Sequence, residues 1–372
     1  MAAPSRPAVP PAASDEPAPV RPEIAAMAGY VPGEQPQDEG WVKLNTNENP
    51  YPPSPTVADA VVAQLAGRAP AKYPDPLAGR FRRRAAEVLG VDPEWILCGN
   101  GSDDLLTILV RTFVGAGEAM RVPTPSYVLY RTLAAIQGAA CEELPFAPDW
   151  SLPEGFAAPR TAAGLPVRLA VLPNPNSPSG TIVPRRDLES IADRFPGALV
   201  IDEAYGDFAD ADCLGLVRSH RRVIVTRSMS KSYALAGVRF GFAVARPEVV
   251  RELEKVKDSY NCDALSIAAA TAAIAERDWL RGNRATILAT RDRLSVALER
   301  LGFAVEPSQA NFVWCTHPRR PHRPLYEALK ARRILVRWMQ YPGWGDGLRI
   351  TVGTDAEIDT FLHALGEILA ST

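Results

Sequence analysis

The chain of 372 residues is longer than one ordinary hydrophobic core requires, which favours two domains. Hydrophobic residues make up 47% and charged residues 23%, as in soluble globular proteins, and the net charge of -2 leaves no basic field for a nucleic-acid backbone. The arginine-rich run at residues 79–84 is local, and we interpret it as the solvent-facing side of a helix. No apolar run approaches the roughly 18 residues of a membrane span, so we expect neither a nucleic-acid nor a membrane partner.

The cysteines and histidines show no metal-ligand spacing. The five cysteines are scattered and odd in number, which favours reduced thiols in a cytoplasmic protein. The four histidines form none of the usual zinc arrangements. We therefore predict a cytoplasmic location and no metal site.

The pattern of apolar runs changes along the chain and predicts its domains. Residues 1–20 form a Pro/Ala-rich tail without periodicity, for which we predict disorder. We expect an N-terminal arm and small-domain segment over 21–60, followed by a large domain over 61–262 in which short buried strands alternate with helices. This alternation predicts an α/β fold with a mostly parallel central sheet covered on both faces. Long helices and differently ordered strands over 263–372 predict a smaller α+β domain.

Polar residues lie at the carboxyl ends of several predicted strands of the large domain. In a parallel sheet, ligands bind in the crevice beyond the carboxyl ends of the strands, so these residues share one edge. Singly, each has an ordinary structural interpretation, such as a helix cap, a turn or a core tyrosine. Together they combine amide, carboxylate, phenol, hydroxyl and amine groups. The polar strand ends are residues 100–103, 174–180, 202–205 and 227–231.

Lys231 stands among small and hydroxyl-bearing residues, an unusual place for a lysine. A partly buried lysine near other cations has a lowered pKa, and its neutral amine can form a Schiff base with pyridoxal 5′-phosphate. Ser228, Ser230 and Arg239 supply neutral and cationic donors for the phosphate of that cofactor. The pattern therefore indicates a pyridoxal-phosphate site.

A second predicted phosphate contact is the start of the helix that follows residue 100. Gly101 and Ser102 offer backbone N–H groups and the positive end of the helix dipole. Asp103 and Asp104 in the first turn repel a phosphate. We therefore expect their side chains to point away, or Asp103 to contribute only its backbone amide.

Asp202 and Tyr205 complete the predicted cofactor chemistry. Asp202 can pair with the pyridine nitrogen and keep it protonated, which makes the ring an electron sink. Tyr205, three residues later, can reach the phenolic oxygen of the cofactor. Rival phosphate sites are excluded, because the sequence contains neither a P-loop nor a glycine-rich dinucleotide motif after a strand.

Ten segments between about residue 21 and the C-terminus carry a resemblance to a known family. The segments LNTNENP, ALAGVRFGF and LRITVGT are the more specific ones, whereas Ser-x-Ser-Lys alone is weak. Through them the chain resembles the fold-type I pyridoxal-phosphate aminotransferases of class I and II, and among these the histidinol-phosphate aminotransferase family. The other matching segments are RPEIAAMAGYVPG, KYPDP, GNGSDDLL, PTPSYVLY, PNPNSPSGT, IDEAYGDF and SQANFVW.

The resemblance implies roles around the cofactor. Lys231 matches the Schiff-base lysine and proton shuttle, and Asp202 and Tyr205 match the partners of the ring nitrogen and ring oxygen. Tyr127 matches the aromatic residue that stacks on the ring. Tyr73 matches a tyrosine that reaches the cofactor phosphate of the neighbouring subunit, which implies a homodimer with shared sites. The residues that match the phosphate cup are Ser102, Asp103, Ser228, Ser230 and Arg239.

The resemblance also implies a substrate pocket. Arg349 matches the arginine that binds the substrate carboxylate, and Arg337 and Tyr30 match positions at the phosphate and imidazole ends of the substrate. Many relatives carry an asparagine before the proline of the 174–180 loop, where this chain has Ser177, so Asn176 is the candidate substitute. The segment WMQYPGW after Arg337 also differs from the commoner, more charged linker.

The implied reaction is a ping-pong transamination. The implied substrates are histidinol phosphate and 2-oxoglutarate, which yield imidazole acetol phosphate and glutamate. The same cup serves aromatic aminotransferases and a phosphothreonine-type decarboxylase, and the sequence leaves these alternatives open. A catalytically silent binding module is disfavoured, because Lys231 is intact and the tail lacks a basic helix for DNA.

Overall fold

A computed structural model describes residues 18–29, 33–67 and 71–371, so residues 1–17 of the predicted tail lie outside the described part. Its strands are short and its helices longer, as expected for an α/β protein. The strands are β1 (Val42–Lys43), β2 (Ile96–Gly99), β3 (Ala119–Thr124), β4 (Ala140–Pro145), β5 (Val167–Pro173), β6 (Ala198–Glu203), β7 (Val223–Ser228), β8 (Gly241–Val244), β9 (Ala304–Val305), β10 (Phe312–Thr316), β11 (Ile334–Leu335), β12 (Arg337–Tyr341) and β13 (Gly345–Thr351).

The helices lie between and after these strands. Within the described ranges, no helix is both long enough and apolar enough to span a bilayer. The helices are α1 (Pro22–Ala25), α2 (Pro55–Ala66), α3 (Gly79–Leu89), α4 (Ser102–Phe113), α5 (Leu129–Gln137), α6 (Arg185–Arg194), α7 (Leu214–Ser219), α8 (Pro247–Val256), α9 (Ala264–Ala275), α10 (Arg277–Arg300), α11 (His322–Ala331) and α12 (Asp355–Ser371).

Seven strands form the central sheet in the order β2-β8-β7-β6-β5-β3-β4. Neighbouring strands are parallel except at β8, which is antiparallel to both β2 and β7. Apolar clusters pack on both faces, so the inner strands are buried almost throughout. This arrangement confirms the predicted α/β fold, and it brings the carboxyl ends of β2, β5, β6 and β7 to one edge.

A second, antiparallel sheet has the order β12-β13-β10-β9. Its core is built from sheet residues such as Val313 and Ile350 and from helix residues such as Leu298 and Phe361, all buried. The two-residue strand β1 pairs in parallel with β11, which attaches the N-terminal arm to this smaller domain. The chain therefore enters the small domain, builds the large one and returns.

The boundary between the two domains remains a prediction, and packing suggests a later position than residue 263. Helix α9 lies against α2 and α3, and its Ile267, Ala270 and Ile274 belong to the core beside the central sheet. The small-domain core includes Leu294 and Leu298, in the second half of α10. We therefore propose that α10 crosses from one domain to the other.

The arginine-rich run at 79–84 is only partly the solvent-facing surface that its composition predicts. Phe81 is fully buried and Arg82 is 9% exposed, because the helical period places them one turn before the buried Ala85 and Ala86. Arg82 Nε donates to the Pro93 carbonyl at 2.8 Å, and its guanidinium pairs with Glu254 at 2.9 Å. The interpretation was therefore wrong for these two positions, where one arginine anchors the helix.

Candidate functional site

A cavity of about 340 Å³ opens at the carboxyl edge of the central sheet, below the small antiparallel sheet. Residues far apart in the sequence line it, as the polar strand ends predicted. Most of the sequence-predicted site residues meet there. Those lining the cavity are Ser102, Asp103, Tyr127, Asp202, Tyr205, Ser228, Ser230, Lys231, Arg239, Arg337 and Arg349.

Three of the predicted residues that the structure describes do not line this cavity. Gly101 lies directly behind it, as the residue that precedes α4. Asn176 is 1% exposed and lies in the loop after β5. Tyr73 is 81% exposed and stacks on Tyr260 with the ring centroids 4.5 Å apart, beside a different pocket. Tyr30 lies outside the described residues.

Lys231 follows β7 and is partly buried. Its Nζ donates to the backbone carbonyl of Thr46 at 2.9 Å. Burial, together with the positive charges of Arg349 and Arg239, lowers the pKa of the Lys231 amine to about 8, against the opposing effect of Glu48. Near neutral pH a useful fraction of the amine is therefore neutral and nucleophilic, as the sequence predicted for this environment.

The start of α4 and the end of β7 form a cradle for an anion. The first backbone N–H groups of α4 have no helical partners, and the helix dipole places its positive end here. Ser228 and Ser230 line the cavity nearby, and Arg239 Nη1 donates to Ser230 Oγ at 3.4 Å. This set of hydroxyls, amides and a guanidinium suits a phosphate dianion.

Two glycines make room for this cradle. Gly101 has φ +84°, which favours glycine, and a Cβ there would lie 2.7 Å from Arg239 Nη2. A Cβ on Gly241 would lie 2.9 Å from Ser102 N and 2.8 Å from the carbonyl oxygen of Arg227. Close approach of β8 to the start of α4 therefore requires glycine at 241, whereas the positive φ favours glycine at 101.

The two acidic residues of the first turn of α4 behave differently. Asp104 turns away from the cavity, since its Oδ2 accepts from the Asn100 amide and from Asn261 Nδ2, both at 2.9 Å. Asp103 stays at the cavity, where Oδ2 lies 3.8 Å from Arg239 Nη2 and Oδ1 accepts from the Tyr127 hydroxyl at 3.4 Å. The expectation that both side chains turn away is therefore met by Asp104 alone.

Asp202 is the penultimate residue of β6 and is 4% exposed. One oxygen accepts from the Tyr130 hydroxyl at 2.7 Å, and the other accepts from Thr226 Oγ1 at 3.0 Å. Burial raises the pKa of the Asp202 carboxyl, and these hydrogen bonds oppose the rise. A buried carboxylate with two fixed donors is suited to hold a protonated ring nitrogen, whose charge would offset the cost of its burial.

Tyr205 is oriented by Asn47, a residue to which the sequence analysis gave no role. Asn47 Nδ2 donates to the Tyr205 hydroxyl at 2.9 Å. The amide is fixed on its other side, because its Oδ1 accepts from Thr351 Oγ1 at 3.0 Å. The Asn47 backbone N–H donates to the same Thr351 oxygen, and its carbonyl accepts from Asn311. Tyr205 is thus coupled to the small-domain sheet.

The whole segment 45–48 belongs to the site, and Tyr130 joins it behind Asp202. LNTNENP and PTPSYVLY both carry the family resemblance, but a role was predicted only within the second segment, for Tyr127. Tyr130, three residues later on α5, packs edge-on against Tyr127 with a centroid distance of 5.6 Å. The i, i+3 spacing of the two tyrosines was the one local signal that could have identified it.

Arg349 and Arg337 approach the cavity from the small domain. They lie directly opposite each other on β13 and β12, so their side chains share one face of the sheet. Arg349 donates to Ser177 Oγ at 2.8 Å and to the Asn45 carbonyl at 3.1 Å. Its Nε is buried without a partner. Two neighbouring guanidiniums with an unsatisfied buried donor suit an anionic group.

Asn174, Asn176 and Ser177, in the loop after β5, have different surroundings. The Asn174 side chain forms a structural hydrogen bond, since its Oδ1 accepts from the Val183 amide at 2.7 Å. Asn176 donates to the Pro125 carbonyl and to Ser179, and its buried Oδ1 has no partner. Ser177 lines the cavity and holds Arg349. The role predicted for Asn176 remains untested.

The pKa of Lys231 leads to a prediction about pH. Added pyridoxal 5′-phosphate should bind the apoprotein at a rate that rises with pH, with its midpoint near pH 8 and a plateau about one pH unit higher, because only the neutral amine attacks. A free lysine side chain measured alongside should keep gaining rate up to about pH 10. The readout is the visible absorbance that develops on mixing. Lys231→Ala should develop none, and a borohydride-reducible link in that variant would contradict the assignment.

The close approach at Gly241 predicts a loss of cofactor affinity. Gly241→Ala should weaken binding of pyridoxal 5′-phosphate about tenfold, because the added methyl group costs about 1–3 kcal/mol of strain against the start of α4. Gly237→Ala is the matched control, since a Cβ there meets nothing within 4 Å. Absorbance titration of both apoproteins, with thermal unfolding in parallel, provides the comparison. Equal affinities would show that this contact does not shape the cradle.

Comparison with known proteins agrees with this geometry. The family model described as "Aminotransferase class I and II" matches residues 39–365. Histidinol-phosphate aminotransferases from Rhodopirellula baltica and Geobacter sulfurreducens are 55% and 46% identical to this chain, each over 94% of it and over 96% and 99% of the relative. The crystal structure of the Sinorhizobium meliloti histidinol-phosphate aminotransferase in complex with pyridoxal-5′-phosphate is similar, with a TM-score of 0.86 at 28% identity, over 96% of this chain and 99% of that one. The chain belongs to the class I and II aminotransferase family.

Proposed function

We propose that the protein is a pyridoxal-phosphate-dependent aminotransferase that converts histidinol phosphate and 2-oxoglutarate into imidazole acetol phosphate and glutamate. The observation that carries this proposal is the pair of opposed arginines, Arg337 and Arg349, at a cavity that also contains a lysine of lowered pKa. The printed names of the relatives at 55% and 46% identity support the same activity in histidine biosynthesis.

The cavity fits the cofactor at each of its polar groups. The phosphate would lie at the start of α4, with Ser228, Ser230 and Arg239 as further donors. Asp202 would pair with the ring nitrogen, and Tyr205 would donate to the ring oxygen. When bound, pyridoxal 5′-phosphate supplies an aldehyde for an amine and a ring that takes up the electron pair left on the substrate carbon.

Lys231 performs the proton transfers. With the cofactor and the substrate bound, the Lys231 Nζ would take the proton from the substrate carbon that bears nitrogen and, as a general acid, would deliver it to the cofactor carbon. A pKa of about 8 suits both directions near neutral pH, because the amine gains and loses a proton readily there. Asn47 keeps the Tyr205 hydroxyl in place during these steps.

The arginine pair explains how one site accepts two different anions. Histidinol phosphate carries a phosphate and no carboxylate, whereas glutamate carries carboxylates. Arg349, held by Ser177 and the Asn45 carbonyl, can meet either anion. The phosphate has more charge and a third terminal oxygen, so the second guanidinium of Arg337 helps it more.

This account predicts unequal effects of the two arginines. Arg349→Ala should impair both half-reactions, whereas Arg337→Gln should impair the half-reaction with histidinol phosphate more. The loss of a charge-assisted bond should cost about 1.5–3 kcal/mol, or about ten- to a hundredfold in kcat/KM. Single-turnover kinetics of each half-reaction tests it. Equal losses in Arg337→Gln would show that Arg337 does not discriminate the phosphate, and a parent enzyme active on aromatic amino acids alone would favour the aromatic alternative.

We also propose a homodimer with shared sites. Tyr73 does not line the cavity of its own chain, and its side chain is exposed beside Tyr260. Large apolar side chains of the neighbouring α2 and the following loop, Val62, Leu65 and Leu77, are also exposed. Such a surface suits burial against a second copy, where Tyr73 would reach the phosphate of the partner's cofactor.

Shared sites predict complementation between two inactive chains. Dimers that combine a Tyr73→Ala chain with a Lys231→Ala chain should regain activity, because one of their two sites has both residues intact. Differently tagged chains, refolded together and purified as mixed dimers, provide the measurement. Mixed dimers without any activity would count against a shared site.

The cytoplasmic location remains a prediction. All five cysteines lie in the described ranges and are free thiols, which agrees with a reducing compartment. Burial raises the pKa of Cys315 and Cys98, so these thiols are unreactive.

A further inference from the structure

The hairpin formed by β12 and β13 carries the arginine pair at one end and an aromatic tip at the other. Arg337 lies opposite Arg349, Met339 opposite Gly347 and Tyr341 opposite Gly345. Alternate residues of a strand share a face, so Met339 and Tyr341 lie on the same face as the arginines. This face is therefore cationic at the cavity and apolar toward the turn.

The apolar part of this face continues onto β10. Trp314 lies opposite Arg349 in the neighbouring pair of strands, and a Cβ on Gly347 would lie 2.4 Å from its indole ring. Glycine at 347 thus lets the indole lie directly on the hairpin. The ring of Tyr341 is 6.4 Å from that of Trp314, edge-on.

The tip of the hairpin contacts the large domain. Trp344 packs against Trp150 in a tilted arrangement, with ring centroids 4.5 Å apart and planes at 35°. Trp150 lies after β4 and packs against Phe146, which follows the same strand. Phe146, Trp150 and Trp314 are each buried to 6% exposure or less. We name the set Phe146, Trp150, Trp314, Tyr341 and Trp344 the aromatic clasp.

The clasp connects to the site through Met339. That side chain packs against the clasp and also lines the cavity that contains Lys231. Trp150 has φ +61°, a conformation that a large non-glycine residue adopts only where its surroundings hold it. The segment that forms the tip, WMQYPGW, is also the part that departs from the charged linker of the resembling family.

We propose that Trp344 is a positioning residue, whose packing against Trp150 helps to hold the arginine pair over the cavity and so sets the affinity for the anionic end of the substrates. Both arginines lie on this hairpin, whose turn contacts the large domain through the Trp344–Trp150 pair, while Arg349 is also held by Ser177. If the tip is released, the hairpin can move relative to Lys231. The identity of the anion as a substrate phosphate rests on the proposed function.

The test uses the holoenzyme with Trp344→Ser and Trp344→Phe. Trp344→Ser should raise KM for both substrates about tenfold with kcat little changed, because the arginines lose their position rather than their charge. Inhibition by inorganic phosphate should weaken by a similar factor, and the near-UV circular dichroism of the paired indoles should disappear. Trp344→Phe should lose the dichroism but retain most of the affinity. Gln340→Ala is the matched control, since its exposed side chain lies on the other face of β12.

The outcomes separate the clasp from the proposed function. An unchanged KM and unchanged phosphate inhibition in Trp344→Ser, despite lost dichroism, would overturn the positioning role. Equal falls in kcat, cofactor affinity and thermal stability would also overturn it, since they indicate a structural role alone. An unsubstituted enzyme without activity on histidinol phosphate would instead refute the proposed function. The positioning role of the clasp could then still be tested by the binding of inorganic phosphate and of glutamate.

Discussion

The site depends on lowering the pKa of one lysine amine, so that a fraction of it is neutral at physiological pH, while anions bind beside it. Burial disfavours the charged ammonium, and two guanidiniums disfavour it further, so the pKa of Lys231 falls to about 8. The same guanidiniums are what the phosphate and carboxylate groups require. One set of positive charges therefore activates the nucleophile and binds the anions.

The chain builds this environment by bringing three remote parts together. The parallel sheet supplies Asp202, Tyr205 and Lys231 at its carboxyl edge, and the start of α4 adds backbone amides. The small sheet supplies Arg337 and Arg349. Residues 45–48 join these parts, since their backbone carbonyls accept from Lys231 and Arg349 and the Asn47 amide orients Tyr205. Movement between the domains would consequently change the positions of Lys231, Arg349 and Tyr205 relative to one another.

The sequence predicted the parts of this site that are local in the chain. Alternating apolar runs located the strands, and the polar residues after them located Asp202 and Lys231, because parallel strands end at one edge. The role of segment 45–48 was not predicted, because its contacts with Tyr205 and Lys231 span 158 and 185 residues. A periodic pattern of apolar residues carries no information about contacts at such a separation. The burial of Arg82 was not predicted for another reason. The composition of its helix suggests a solvent-exposed face, whereas the helical period places this arginine on the buried side, where it pairs with Glu254. The partner-subunit role of Tyr73 needs a second chain and remains a prediction.

The most direct test of the central claim is to offer the purified holoenzyme one amino donor at a time and to follow the visible absorbance of its cofactor. A donor that completes the first half-reaction converts the cofactor to its aminated form and removes that absorbance. The account predicts conversion by histidinol phosphate and by glutamate, and none in Lys231→Ala. Conversion by an aromatic amino acid together with no response to histidinol phosphate would contradict it.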